Sequence, residues 1–550
     1  NGANLTTFIM IGNNGLTGQV NTGPKEVRRI VAGYGTSTLT VDTPFGFHHT
    51  ATTTAGAAEN SVFAINTAAD GTADTSAIAT DDKGKFITWM PGVYESVDVP
   101  DPEQAFEPKY ILGNLTNRNF YQMYAGQETL TGSMGGMVML NGFPLRFPLG
   151  KIVTTPVTST SDTGWNLKGD HKKGDVYINI DRSGSTIIAA GVQFLFGVAG
   201  GGSAPSGDTH QTDSSKVYEI AQVVTAVSSS DDTRMRIWPP LKFDHPDDED
   251  LCVVNHVAGS SEYLHTIFEQ VALTPITWNV SLVDDAGSNI WQRRYMGGKI
   301  GSMTLSAEAG GLLTGGWDGV NFLDMVHNVK SHPSLPADQP MPRYAAMQDI
   351  ISTKVGKYNS SGTFDRPSTD PYYFSNGIVK MFNVAAASGT EVARLTSFNL
   401  SISNSTEPKY YVSAQHDGRR TPKEQFEGNR EYTMSASIGH IDSANKGTED
   451  VADLFRELLL AGDYRGGNFK GFGIELKFIR DMATLGATVE KDYIKITIPT
   501  DGTAAAGGNE QGAFIKTAPH NISDSLITAD ADIVFRSMKI DIRDYEPIYP

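Results

Sequence analysis

The 550-residue sequence has a single cysteine, Cys252, so no disulfide can form within one chain and packing alone must hold the framework. It lacks any apolar run of about 18 residues, which excludes a transmembrane helix. Its opening, NGANLTTFIMIGNNG, has no basic region followed by a long apolar core, so no signal peptide is expected in the chain as it stands. Positive charge is scarce as well. The 44 Lys and Arg face 62 Asp and Glu, for a formal charge of −18. Such a surface offers no bulk attraction to a phosphate backbone.

Catalytic patterns are also missing. There is no G-x-S-x-G and no H-E-x-x-H. Gly202-Ser-Ala-Pro-Ser-Gly207 has the glycine spacing of a phosphate-binding loop, but Asp208-Thr209 follows where a lysine is needed, and a carboxylate there repels phosphate. The acidic run DHPDDED (Asp244–Asp250) lacks the glycine-turn spacing of a calcium loop and reads as a solvated turn. His48 and His49 are adjacent, so a strand would point them to opposite sides. Cys252 reads as a small buried hydrophobe. No cofactor, metal or catalytic residue is expected, and the chain is not expected to be an enzyme.

What the sequence does contain is a repeat. The tetrapeptide EPKY occurs at Glu107–Tyr110 and again at Glu407–Tyr410. A glycine follows the first Glu by 19 residues in one copy (Gly126) and by 21 in the other (Gly428). Aligning these glycines puts Thr131 on Thr433, Ser133 on Ser435, Leu130 on Tyr432 and Met134 on Ala436. The apolar face is therefore in phase, and a slip of one residue would turn it outward. Upstream, Phe398, Leu400 and Ile402 alternate with Asn399, Ser401 and Ser403, the pattern of a half-buried strand. TWNVSLV (Thr277–Val283), YIKITIP (Tyr493–Pro499) and FRSMKIDIRD (Phe535–Asp544) alternate similarly. One amphipathic helix is expected at Thr448–Gly462, with Thr448 as N-cap and Gly462 as stop.

These patterns divide the chain into a first unit at 1–325, a proline-dense linker at 326–370 and a second unit at 371–550. The segment from about 154 to 250 does not fit the repeat. It carries its own strand signals (GDVYINI, KVYEIAQVV, TRMRIWPPL) and reads as a small inserted β-domain. The arginine pairs Arg28-Arg29, Arg293-Arg294 and Arg419-Arg420 read either as scattered surface charge or as contacts with acidic patches of a neighbouring copy.

The order GQETLTGSMGGMVML, ITWNVSLV, RRYMGGKIGSMTLSAEAGGLLTGGW, VARLTSFNLSISNSTEPKY, GRRTPKEQFEGNREYTMSASIG, a short helix and closing strands resembles the major tail tube proteins of long-tailed bacteriophages, in their large form with two tandem tube folds. The resemblance covers about 94–150 and 264–550, outside the insertion. It implies a mainly β fold: two tandem β-sandwich or half-barrel folds with few helices each, plus the inserted β-domain. It further implies a homotrimeric, pseudo-hexameric ring, stacked into a hollow tube with tape-measure, tail terminator and tail tip proteins as partners. Double-stranded DNA would be present only in transit, and no membrane is involved. The protein would be a virion component assembled in the host cytoplasm. Thr129, Thr131, Ser133, Thr433, Ser435 and Ser437 would belong to the inner barrel strands, with acidic side chains facing the bore. The rival readings are a trimeric β-rich receptor- or carbohydrate-binding tail protein, which should show an exposed aromatic groove, and a secreted β-sandwich hydrolase.

Overall fold

The computed structural model describes short strands at 7–11, 26–32, 40–41 and 62–66, and then residues 94–329 apart from 102, 111–121, 158–159, 176, 182–187, 189–191, 206–210, 212, 224–233, 256–260 and 284–288. It also describes 357–358 and 364–365, and residues 370–546 apart from 384–389, 392–394, 412–421, 439–470, 482–489, 501–511, 518 and 523–526. The expected helix at Thr448–Gly462, His48-His49, Arg419-Arg420 and most of the linker lie outside these residues.

The chain is mainly β, and one large curled sheet organises it. Numbered in chain order, its principal strands are β1 (Ser96–Asp98), β2 (Thr131–Val138), β3 (Gly150–Pro156), β4 (Tyr263–Glu269), β5 (Ser302–Glu308), β6 (Thr314–Asn321), β7 (Gly377–Asn383), β8 (Leu395–Ser403), β9 (Glu431–Ile438), β10 (Phe472–Ile479), β11 (Tyr493–Ile498), β12 (Ala513–Thr517), β13 (Ile527–Phe535) and β14 (Lys539–Asp544). Their order across the sheet is β1-β2-β6-β5-β8-β9-β13-β12-β10-β11-β14-β4-β3, with β7 also on β10.

The first eight positions are two four-stranded blocks of identical internal order. In β1-β2-β6-β5 and again in β8-β9-β13-β12, the first strand pairs the second, the fourth in sequence follows, and the third lies last. The blocks meet where β5, last of the first, pairs β8, first of the second, in antiparallel register from Ser302↔Ser403 to Glu308↔Ser397. The residues that the EPKY alignment superposes behave alike: Leu130, Tyr432, Met134 and Ala436 are all buried. Each EPKY opens a hairpin leading into the second strand of its block. Glu103–Lys109 pairs Gln122–Thr129 before β2, and Glu407–Lys409 pairs Glu424–Phe426 before β9. In both copies the motif's Lys bonds its own Glu, Lys109 to Glu107 and Lys409 to Glu407.

The sheet turns at β12, which meets β10 through a single residue pair, Phe472↔Ala513. Beyond it the strands β10, β11, β14, β4 and β3 form a second wall. Strict alternation on the first wall turns Met303, Leu305, Phe398, Leu400, Ile402, Met434 and Ile533 toward Ile474, Phe478, Ile494, Ile496 and Ile540 of the second, giving one continuous core. Phe398 stacks on Phe478 across it, with ring centroids 5.5 Å apart.

FRSMKIDIRD is two strands. Phe535 ends β13 and Lys539 begins β14, with Met538 fully buried between. The bend is fixed by Met538 donating its backbone N–H to Glu269 and by Ser537 accepting from that of Thr500, so the chain crosses from one wall to the other. Thr277–Val283 lies within a strand (Ile276–Val283) of a separate three-stranded sheet with Asn289–Gly298 and Asp324–Val329. The segments near the N-terminus pair into a four-stranded sheet of their own.

Between β3 and β4 the chain leaves the sheet to form a closed six-stranded barrel, in the order 160–167, 177–181, 234–238, 219–223, 193–198, 250–254. Its filling includes Trp165, Leu167, Ile178, Phe194, Phe196, Ile237 and Leu251. The corresponding hairpin of the second block, β10–β11, has only the connection 480–492. The barrel closes at Val254, so a boundary near 250 cuts its last strand, where Leu251 and Cys252 are buried.

Candidate functional site

The outward face of the two blocks is the feature that composition and topology set apart. Alternation leaves Thr131 and Ser133 (β2), Thr304 and Ser306 (β5), Asn399 and Ser401 (β8), and Thr433, Ser435 and Ser437 (β9) exposed or half-buried on this side. Asp98, Glu308, Asp318, Glu431, Asp530 and Asp532 are exposed on the same side. Strands β1, β2, β5, β6, β8, β9 and β13 contain no Lys, Arg or His at any position. The second wall is different: Lys151, Lys380, Lys477, Lys495, Lys539 and Arg543 all lie in its strands or in β7. Cations are thus absent from seven of the eight strands of the first wall, not diluted over the sheet. Lys516, in the bulge of β12, and Arg536, just past β13, mark the margin.

Short hydroxyl bonds stitch this face. Thr131 donates to Asn321 (2.7 Å), Ser437 to Asp530 (2.6 Å) and Thr517 to Asp532 (2.9 Å). A concavity of about 510 Å³ lies over the joint between the blocks, lined among others by Ser306, Glu308, Asn399, Ser435 and Asp530. Chemically the face is largely a hydroxyl and carboxylate surface, with Val534 of β13 also exposed on it. It can be wetted, and it repels polyanions.

Of the six barrel-strand residues named from sequence, Thr131, Ser133, Thr433, Ser435 and Ser437 lie on this face. Thr129 does not: it ends the preceding hairpin, opposite Glu103. Leu130, 2% exposed and accepting the backbone N–H of Phe322 at its carbonyl, separates the hairpin from β2. Among the arginines, Arg293 bonds Asp101 and the Tyr295 hydroxyl within its own chain. Arg294 stands opposite Asn279 and Val326 in the three-stranded sheet, and Arg28 and Arg29 stand opposite Ile9 and Phe8. The described residues bring none of the pairs together.

The acidic run at 244–250 is a structural knot of the inserted barrel. Asp244 accepts from the Lys173 amide, Asp247 from Gly169 and Asp250 from Gly201. Buried His245 lies between Glu219 (2.8 Å) and Glu249 (2.9 Å). Burial alone would lower its pKa, but hydrogen bonds to the two carboxylates outweigh it and raise the value to about 9. A raised histidine contributes stability that is fully present below its unfolded value near 6.5 and lost as pH climbs through about 9. Lys242, pushed down to about 7 by burial, acts in the opposite direction over the same range. The stability difference between wild type and His245→Gln therefore isolates the histidine. That gap is expected to narrow as pH rises from 6.5 to 9 in urea unfolding of the full chain, and a gap constant with pH would contradict it.

Among the described residues no group of three or more His, Cys, Asp or Glu is arranged to hold a metal. Trp165, Trp278 and Trp317 are buried, so they build no aromatic groove. No helix of the described residues is long and apolar enough to cross a membrane.

Comparison with known proteins bears on this architecture. A search of curated proteins returns no match. A chain in the cryo-EM structure of the anti-feeding prophage (AFP) baseplate, 6-fold symmetrised, shares 9% identity over 30% of this chain and 91% of its own, with a TM-score of 0.20, a likeness too slight to carry an argument. The model of the phage tail tube protein family matches residues 115–456, a span that includes the inserted barrel. This match extends over more than half of the sequence, so the chain belongs to the phage tail tube protein family, the structural proteins of phage tails.

Proposed function

We propose that this chain carries two tandem copies of the tube fold and that three chains close a pseudo-hexameric ring, with rings stacked into the conduit of a long tail through which the genome passes. The observation that carries this reading is the outward face of the seven strands β1, β2, β5, β6, β8, β9 and β13, which hold no Lys, Arg or His. Duplex DNA presents one negative charge per roughly 1.7 Å of axis, and each phosphate neutralised by a Lys or Arg adds to its retention. A bore lined by Ser, Thr, Asn, Asp and Glu makes no such contacts, so DNA slides past it. The protein acts as structure and not as an enzyme; its partners are further copies of itself, with tape-measure, terminator and tip proteins at the ends of the tube.

The joint between the blocks supports ring closure. Last strand meets first strand, a contact between unlike surfaces, and repeating such a contact by rotation makes a ring. The edge of β12 left open beyond Ala513 and the outer edge of β1 are the two ends of that series. Exposed strand edges of this kind are a hazard in a monomer and become joints in an assembly. Electron microscopy of the purified protein with mass measurement per ring tests the proposal. Rings of three 59.3 kDa chains, about 178 kDa, stacking into hollow tubes are expected. A protein that stays monomeric under every condition, or rings of another count, would sink it.

A further inference from the structure

We infer that Tyr110 is an inter-chain latch, engaging the Asn429–Arg430 segment of the next copy of this chain. The inference rests on the ring reading above. Within one chain, the Tyr410 hydroxyl donates to the backbone carbonyl of Glu128 at 2.9 Å, so the EPKY tyrosine of the second block fastens onto the hairpin of the first. Tyr410 is half-buried there, and burial raises its pKa. Tyr110 is its repeat mate. It is 65% exposed, and among the described residues its hydroxyl meets no partner.

The repeat also names the receiving group. With Gly126 aligned on Gly428, Gln127 corresponds to Asn429 and Glu128 to Arg430. Direction agrees: along the series of blocks, Tyr410 reaches back to the block before its own. The block before a first block is the second block of the neighbouring chain. The hairpin around Tyr110 is built for covering. Phe106, Met123 and Tyr124 are 59%, 45% and 49% exposed, an apolar surface on a segment that holds Lys109 and Glu107 together as its mate holds Lys409 and Glu407.

Cysteine cross-linking in the full chain tests this, since natural Cys252 is only 2% exposed. A chain carrying Tyr110→Cys and Asn429→Cys, treated with a short bis-maleimide, is expected to give covalent dimers and trimers on a denaturing gel, stopping at the closed trimer. The matching pair Gln127→Cys and Tyr410→Cys is expected to react within one chain and leave a monomer of altered mobility. Tyr110→Phe is expected to raise the protein concentration needed for rings roughly fivefold, the worth of one hydrogen bond. Rings that form while the first pair stays monomeric and the second reacts would overturn the latch and leave the ring standing. Absence of rings from the unmodified chain would overturn both.

Discussion

Tubes assembled from a Thr304→Lys, Thr433→Lys chain are expected to retain duplex DNA that wild-type tubes release. Both threonines are exposed on the outward face, on β5 and β9, one in each block. Neither touches the core, so stability should move by no more than about 0.5 kcal/mol. Under the trimeric reading, two lysines per chain give six per ring, on the face proposed to line the bore. Each phosphate neutralised contributes a slope of about −0.9 in log K against log salt, so about six contacts would cost on the order of 10³-fold in affinity between roughly 50 and 200 mM salt. Co-sedimentation of short duplex DNA with tubes across that range reads the effect. Thr304→Gln with Thr433→Gln is the neutral control and should retain nothing. Lysine tubes that form normally and still ignore DNA at low salt would mean that this face does not line the bore.

The second large effect lies at the joint. Leu305 and Leu400 stand opposite each other across β5 and β8, and each is 1% exposed. Leu305→Ala or Leu400→Ala removes buried methyls from a core shared by both blocks, at about 2–5 kcal/mol each. Because the two side chains line one site, the double variant should lose less than the sum, with a coupling of about 0.5–3 kcal/mol. Urea unfolding followed by the fluorescence of buried Trp317, in a background with the other five tryptophans replaced by Phe, reports this without depending on the inserted barrel. Single losses below about 1 kcal/mol, or strict additivity, would mean that the blocks are packed separately.

Much of this was legible before the structure. EPKY and its in-phase flanks aligned Leu130 with Tyr432 and Met134 with Ala436, all four buried, and alternation in Phe398–Ser403 fixed which side of β8 is buried. Alternation cannot see a change of direction, which is why Phe535–Asp544 read as one strand although Ser537 and Met538 carry the chain from wall to wall. Thr129 is in phase with Thr131 and Ser133 but pairs Glu103 in the hairpin, and spacing alone does not say with which strand a residue pairs. In the barrel, QFLFGV is a short apolar run buried nearly throughout, with no period to detect. The acidic run declared its charge but not its partners, which are backbone amides of the 169–173 and 197–201 loops. The exclusion of cations from seven strands was present in the sequence, yet it becomes a signal only when topology shows that those strands share one surface.

The continuity of the chain through the β5–β8 joint has a kinetic consequence. A ring of separate single-block subunits must make every joint by collision, and each pays the entropy of association anew. In the proposed ring every second joint is closed when the chain folds, at an effective concentration set by the connection and not by the number of molecules in the cell. Under the trimeric reading, dilution can loosen only half of the joints, those between Tyr110 and its neighbour. The fused joint is free to be as apolar as a domain core, since it is never exposed between partners. The seam between chains must stay soluble until it is met.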